Sequence, residues 1–560
     1  MQLFVSLLLA ALSFGSPVHI HVQLAGNFGE PRPNHFHGGI DVKTERGVNF
    51  GIYSIADGYV SRAIVGEYGF GKALVIAHPN GYSSFYVHLN RFAPQVQAAV
   101  ERWQYAHHSY NGDVHFRPGE IPVSKGQFVA LSGNTGASQG PHLHLEMHQT
   151  ATGNLMDPLN WLSHIVPDTE SPTAYSFKSY PQAGKGVFQN TQESRIYSFG
   201  NTRYRAWGKV GFGTWAYDHM DSVYNNYGVR HTELYCDGKL IYKSNVDNIP
   251  QRCNRMVNVW GDYEHFASRR TWYLKSFLEP GNRLPFIKTT AARGIIDFNQ
   301  PREYHLQYVF RDYYGNKTVK DIYVQGTPQA IQPAQPIGGA NALLVNRNNN
   351  VPFGAALLHV KGSLLARNCL LQPQQTPLGK ALSAGYRFAP LSLPLLGYTD
   401  LKIRVTSPTA NPSKLYMAAI ARGSSAGAPP MYCGGTYKDG WVQGNIRDLG
   451  LVYYVAHDNT PPAIRQTSGV PSSLAFHLSD TGTGVKSYEA YIDNKFVFSD
   501  IGEVQLTDYG ISGIPVFQLS RFVSKALSHK QKAEISIDFL YYFISSASSI
   551  SVVFLESSAL

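Results

Sequence analysis

His142 and His144 sit in Gly140-Pro141-His142-Leu143-His144-Leu145-Glu146, an apolar alternating run with two imidazoles two residues apart. Side chains at i and i+2 leave the same face of a strand. Both rings therefore reach one small volume, one as a metal ligand and the other as a base or hydrogen-bond donor just beyond it, and spacing alone does not say which is which. An isolated pair of this kind commonly decorates a solvated strand. This pair has company upstream: His37-Gly38-Gly39-Ile40-Asp41 places a histidine and a carboxylate four apart, and Tyr86-Val87-His88-Leu89 adds a third imidazole on a strand-like run. A zinc hydrolase needs three protein ligands and one open position, which His37, Asp41 and His144 would supply. The glycines between His37 and Asp41 argue against a helix and predict a loop entering a strand, its backbone passing close to the ion. His142 and His88 are then left to take a proton from water and to stabilise an oxyanion.

Such a constellation must be held by strands, and the surrounding text reads strand, turn, strand from Val18 to about Pro167. Ile52 to Ala56 runs into Asp57-Gly58, a tight-turn signal, and alternation resumes from Tyr59 to Val65. Gly66 to Gly71 and Pro79-Asn80-Gly81 mark the next turns, around Ala73 to His78, before Tyr82 to Leu89. Closely spaced hairpins imply an antiparallel sheet. Val96, Ala99, Val100 and Trp103 fall near helical spacing and predict a helix over 93–108. With the loop to Pro122 it forms an insertion at one edge. Thirteen of the 21 histidines lie in the first 164 residues, where an even spread would put about six, so the chemistry belongs to this domain.

The whole chain of 560 residues exceeds one ordinary core and implies about three or four domains. Abundant Tyr, Gly and Pro (35, 52 and 32) beside 7 Met favour short strands and turns over long helices. The fold class expected is mainly β: an N-terminal antiparallel domain followed by immunoglobulin-like β-sandwich modules. Residues 1–15 read as an export signal, an apolar run before small residues although no Lys or Arg precedes it. The enzyme-like domain then covers 16–167, a first β-sandwich module 168–327, a second 340–457 and a third 458–560. Pro167 to Pro172, Pro328 to Gly339 and Asp458 to Pro462 serve as linkers. Glu233 to Tyr242 aligns with Glu489 to Phe498 as one hairpin in two related modules. Phe539 to Leu555 is uncharged, but its serines argue against a membrane span, and the strand rhythm fades after Ser499. A formal charge of +10 suits an anionic neighbour such as a cell-wall polymer or membrane surface. No basic run with interleaved aromatics points to nucleic acid. Cys236, Cys253, Cys369 and Cys433 show no CxxC spacing; export would permit a Cys236–Cys253 disulfide, with free buried thiols as the alternative.

The ordered set His37-x-x-x-Asp41, Tyr86-x-His88-Leu89 and Gly140-Pro141-His142-Leu143-His144-x-Glu146 resembles the M23 family of zinc metallopeptidases, the lysostaphin and LytM type. Ala56-Asp57-Gly58-Tyr59-Val60, Tyr68-Gly69, Lys125-Gly126-Gln127 and Gly133-Asn134-Thr135-Gly136 support the likeness. It covers about residues 25 to 165, and it implies Zn2+ held by His37, Asp41 and His144 with His88 and His142 as the catalytic pair. It also implies cleavage of stem or cross-link peptides in bacterial peptidoglycan by an exported enzyme of the periplasm, envelope or cell exterior. The insertion from about Arg91 to Pro122 departs from the family pattern. A non-catalytic peptidoglycan-binding protein, or an activator of another wall hydrolase, is the alternative. Of the other histidines, His35 is expected at the surface, His78 in a structural role, and His107 and His108 in solvent. Glu146 is either a partner to an imidazole or an ordinary salt-bridge residue.

Overall fold

The computed structural model describes residues 14–560 except 46, 67, 380, 408–410, 422–429, 471–472, 481–486, 493–494, 502–505, 508–509, 512–533, 540–547 and 554–560. Most of the export signal expected over 1–15 lies outside the described residues. Among the described residues, no helix is long and apolar enough to cross a membrane.

Alternating sequence becomes strand throughout the first domain. Its main sheet is built from β1 (Leu24–Gly26), β2 (Ile40–Lys43), β3 (Gly58–Val65), β4 (Lys72–Ala77), β5 (Tyr82–Leu89), β6 (Gly112–His115) and β7 (His142–Gln149). The order is β1-β2-β7-β5-β4-β3-β6, with every neighbour antiparallel. A period of two divides β7 cleanly. Leu143, Leu145 and Met147 enter the core with Leu24, Ile40, Val42 and Tyr86, and His142, His144, Glu146 and His148 share the opposite face. A small sheet of Gly51–Tyr53, Phe128–Leu131 and Arg91–Phe92 packs alongside.

The expected helix is α1 (Pro94–His107), with Pro94 in its first turn, Val96 and Val100 buried, and His108 closing it at φ 50°. The stretch after it is not wholly loop. Gly112 to His115 pairs with β3 and extends the sheet edge, because Val114 alternates inward between exposed Asp113 and His115.

Residues 173–326 form a second body, in which Thr173–Phe188 and Arg203–Met220 pair along most of their length. Its core is aromatic, with Phe177, Phe188, Phe212, Phe298 and Tyr308 almost fully enclosed. It is bonded to the first domain: Leu155–Met156 pairs with Asn248–Ile249, Tyr227 donates to the Leu24 carbonyl at 2.9 Å, and Asn27 exchanges two hydrogen bonds with the Gly228 backbone. Phe36 lies between Trp260 and Phe286. Residues 348–448 and 374–457 supply two five-stranded sheets around a third core that includes Leu358, Phe388, Leu401 and Tyr453.

Hairpins form at both aligned sites, His231–Cys236 with Lys239–Asn245 and Ser487–Ile492 with Lys495–Ile501. The register slips at the equivalent place in each, between Leu234 and Tyr235 and between Ala490 and Tyr491. All four cysteines are free thiols. The Cys236–Cys253 disulfide is not formed: Cys236 ends a strand of the hairpin, whereas Cys253 is buried in the short helix Gln251–Met256 and faces the Arg283 carbonyl.

Candidate metal centre

Register brings the first two groups together. In the β2–β7 pair, Asp41 stands directly opposite His144, where side chains on one face are in contact range. His37 reaches in from the turn before β2. The glycines of that turn do something other than expected. A Cβ at Gly39 would lie 2.1 Å from the Leu145 carbonyl oxygen, and one at Gly38 would lie 2.5 Å from Glu146 Oε1. They let the chain press onto β7 rather than onto the ion position.

The result is a closed triangle of buried atoms. His37 Nε2 is 3.0 Å from Asp41 Oδ1 and 2.9 Å from His144 Nδ1, and His144 Nδ1 is 2.8 Å from Asp41 Oδ1. The outer ring nitrogens are held by acceptors: His37 Nδ1 donates to the Asn27 carbonyl at 2.6 Å, and His144 Nε2 to Glu146 Oε1 at 2.9 Å. With those protons placed outward, two imidazole lone pairs and a carboxylate oxygen converge on one point, which a cation would satisfy. Ligand atoms around a tetrahedral ion with bonds of about 2.0–2.1 Å are roughly 3.3 Å apart, so a few tenths of an ångström of opening would seat one. His37, Asp41 and His144 can hold a metal ion.

Charge follows the same pattern. Burial lowers His37 to about 4, against the opposing pull of the Asp41 carboxylate. Burial also acts downward on His144, but the Asp41 and Glu146 carboxylates outweigh it and raise the group to about 9; a bound metal would take that proton's place. Burial would raise Asp41, yet the charge of His37 and the hydrogen bonds from His142, His144 and His37 hold it far below the usual carboxylate range.

The other two histidines stand beside the triangle. His142 donates from Nδ1 to the Gly140 carbonyl at 2.8 Å and turns Nε2 to within 3.3 Å of Asp41 Oδ1. His88 donates from Nδ1 to the Thr135 carbonyl at 2.8 Å, and its ring centre lies 5.0 Å from that of His142. Burial first, then the electrostatic influence of the neighbouring imidazoles, His144 foremost, lowers His88 to about 4. It sits at φ 62°, a left-handed conformation costly for a residue with a Cβ, where the β4–β5 register shifts. Such a bulge re-aims a side chain.

All five expected residues, His37, Asp41, His88, His142 and His144, are therefore brought together. Glu146 pairs with both His144 and His148, the latter at 2.6 Å. His78 is buried between the Asp57 carbonyl and Ser84. His35, His107 and His108 are exposed. Sequence reasoning missed Arg32, whose Nη2 donates to Asp41 Oδ2 at 2.7 Å and so leaves Oδ1 for the centre. Gly26 makes room for it, since a Cβ there would meet Arg32 and Asp41 within 3 Å. No spacing rule pointed to Arg32. His148 was missed as well, although the next step of the i, i+2 series would have found it.

Residues 35–106 match the family described as Peptidase family M23. Residues 340–458 match a Zu5-like domain, and 472–541 an HI0933-like protein barrel and H2TH domain. An uncharacterized metalloprotease of Haemophilus influenzae is 31% identical over 123 residues, 22% of this chain and 20% of the relative. The peptidoglycan DD-endopeptidase ShyA of Vibrio cholerae is 31% identical over 138 residues, 23% of this chain and 26% of that protein. This chain thus spans about a fifth to a quarter of these relatives. The crystal structure of a zinc containing peptidase from Vibrio cholerae aligns at 28% identity over 24% of this chain and 36% of that one, with a TM-score of 0.18. The matched residues 35–106 include His37, Asp41 and His88, so the N-terminal domain of this chain is similar to peptidase family M23.

Proposed function

We propose that this chain is a zinc-dependent endopeptidase that hydrolyses peptide bonds in bacterial peptidoglycan. The observation that carries the reading is the buried His37–Asp41–His144 triangle with two further imidazoles at its edge. His37 Nε2, Asp41 Oδ1 and His144 Nδ1 would hold the ion. Zinc supplies a Lewis acid for the scissile carbonyl and lowers the pKa of water. His88 and His142, each anchored through Nδ1, present Nε2 to the same space. One takes the proton of the attacking water and the other donates a hydrogen bond to the developing oxyanion. Arg32 fixes Asp41, and the second body fixes Arg32's loop: Asn254 Oδ1 accepts the Phe36 N–H at 2.7 Å and Arg255 donates to Asn34 at 3.0 Å.

The β modules, taken as 168–327, 340–457 and 458–560, then serve to position the first domain and to contact the wall, with the net positive charge favouring its anionic polymers. This reading puts the action outside the cytoplasm, in the periplasm, envelope or cell exterior, and similarity to a peptidoglycan DD-endopeptidase supports it. Purified protein is expected to carry about one zinc per chain. His142→Ala keeps that zinc and loses most turnover on peptidoglycan, by roughly 100-fold or more; undiminished hydrolysis would remove His142 from the reaction, and a folded chain that takes up no zinc would end the hydrolase reading.

A further inference from the structure

A second cluster of metal-ligand type lies away from the histidines, where the linker leaves the first domain. Asp168 of the linker, Asp218 near the end of the strand Arg203–Met220 and Asp312 of the hairpin Asp312 to Asn316 offer carboxylate oxygens within 4.8 Å of one another, and all three are buried. Three like charges at that spacing are costly unless something compensates them. The available hydrogen bonds do not. Asp168 Oδ1 accepts the Glu170 N–H at 3.0 Å, and Asp312 accepts from Gly315 N and from Asn316 Nδ2. Asp168 Oδ2 and Asp218 Oδ1 are enclosed and find no donor among the described residues, in side chains belonging to residues only 7% and 3% exposed.

Both face a cavity of about 10 Å³, lined also by Asp157, Arg230, Tyr313 and Tyr314, the room of about one water-sized body. Arg230, in the lining of that cavity, is committed to Asp157 beside it.

We propose that Asp168, Asp218 and Asp312 form a divalent-cation site of calcium type, distinct from the histidine centre, that pins the linker to the second body. An all-oxygen set selects a hard cation, and calcium accepts irregular carboxylate geometry where magnesium demands a near-ideal octahedron. Its position is that of a structural clamp. Tyr314 donates to the Val166 carbonyl just before Asp168, Asn316 Nδ2 reaches the Asp168 carbonyl at 3.2 Å, and Thr169 donates to Asp221 at 3.0 Å.

The test uses the full chain, passed over a chelating resin, reloaded with one equivalent of zinc, and titrated with CaCl2 and separately with TbCl3. The site binds one calcium saturably, and terbium luminescence excited through the adjacent tyrosines is displaced by calcium. At calcium about 100-fold above Kd the folded state gains about 100-fold over the unfolded, read as a rise in Tm. Asp218→Asn and Asp312→Asn each weaken calcium at least about tenfold and leave zinc content unchanged. A wild-type chain that binds no calcium beyond its zinc overturns the proposal, whether or not either variant folds. So does calcium binding that both variants retain at full strength, or a clear preference for magnesium.

Discussion

Glu146→Gln isolates the contribution of one buried carboxylate to the metal centre. Glu146 Oε1 accepts the His144 Nε2–H at 2.9 Å, and Oε2 is 2.6 Å from His148 Nε2. The first bond points His144 Nδ1 into the triangle, and the negative charge makes that nitrogen a better donor to a cation. Glutamine is nearly isosteric and keeps one oxygen for His144, so geometry survives while charge is lost. A charge-assisted bond contributes about 1.5–3 kcal/mol and a neutral one about 0.5–1.5. Their difference, roughly 1.4 kcal/mol, is about tenfold in affinity. Zinc affinity of the variant, read by competition with a chromophoric chelator at fixed pH, is therefore expected to fall about 10-fold, and by no more than about 100-fold. Near-UV circular dichroism checks that the fold is kept. A folded variant whose zinc affinity stays within twofold of wild type would refute the argument that Glu146 orients and charges His144.

Two other perturbations probe the scaffold. Gly39→Ala sets a Cβ 2.1 Å from the Leu145 carbonyl oxygen and 2.7 Å from its carbon. Backbone atoms cannot rotate away, so β2 must lift from β7; urea unfolding is expected to show a loss of about 2–3 kcal/mol, with zinc content falling as Asp41 leaves His144, and wild-type stability would contradict this. Glu233 tests linkage in the second body. Burial raises it, but hydrogen bonds from Arg311, Lys243 and Tyr235 outweigh that and bring it from 4.5 to about 2. Its folded pKa is depressed, so the unfolded chain binds the proton first as pH falls. The stabilisation is complete above about pH 4.5 and is lost between there and about pH 2. Wild type should exceed Glu233→Gln in stability at neutral pH and approach it in acid, and a gap that stays constant from pH 5 to pH 2 would contradict the assignment.

What was legible in the sequence follows from periodicity and order. His142, His144 and Glu146 share a strand face because alternation has period two, and the structure keeps them there. The helix over 93–108 and the paired hairpins at Glu233 and Glu489 were equally local, whereas the register slip the two hairpins share was not read. Other features depend on groups far apart in the chain. Arg32 meets Asp41 across nine residues, with nothing in spacing to mark it. The left-handed backbone of His88 arises from a bulge between strands, which propensity does not foretell. Gly38 and Gly39 were read as approaching an ion when they approach a neighbouring strand, since a glycine signals closeness without naming the partner. Asp168, Asp218 and Asp312 are joined only by the folding of the second body.

The most direct test of the central claim is digestion of purified peptidoglycan sacculi by the zinc-loaded chain, with the released fragments identified by mass and by end-group labelling. Peptide-bond hydrolysis predicts new α-amino or side-chain amino termini and no new reducing sugar ends, abolished by zinc removal and restored by adding zinc back. Intact sacculi under zinc-replete conditions, or fragments bearing only new reducing ends, would contradict the account.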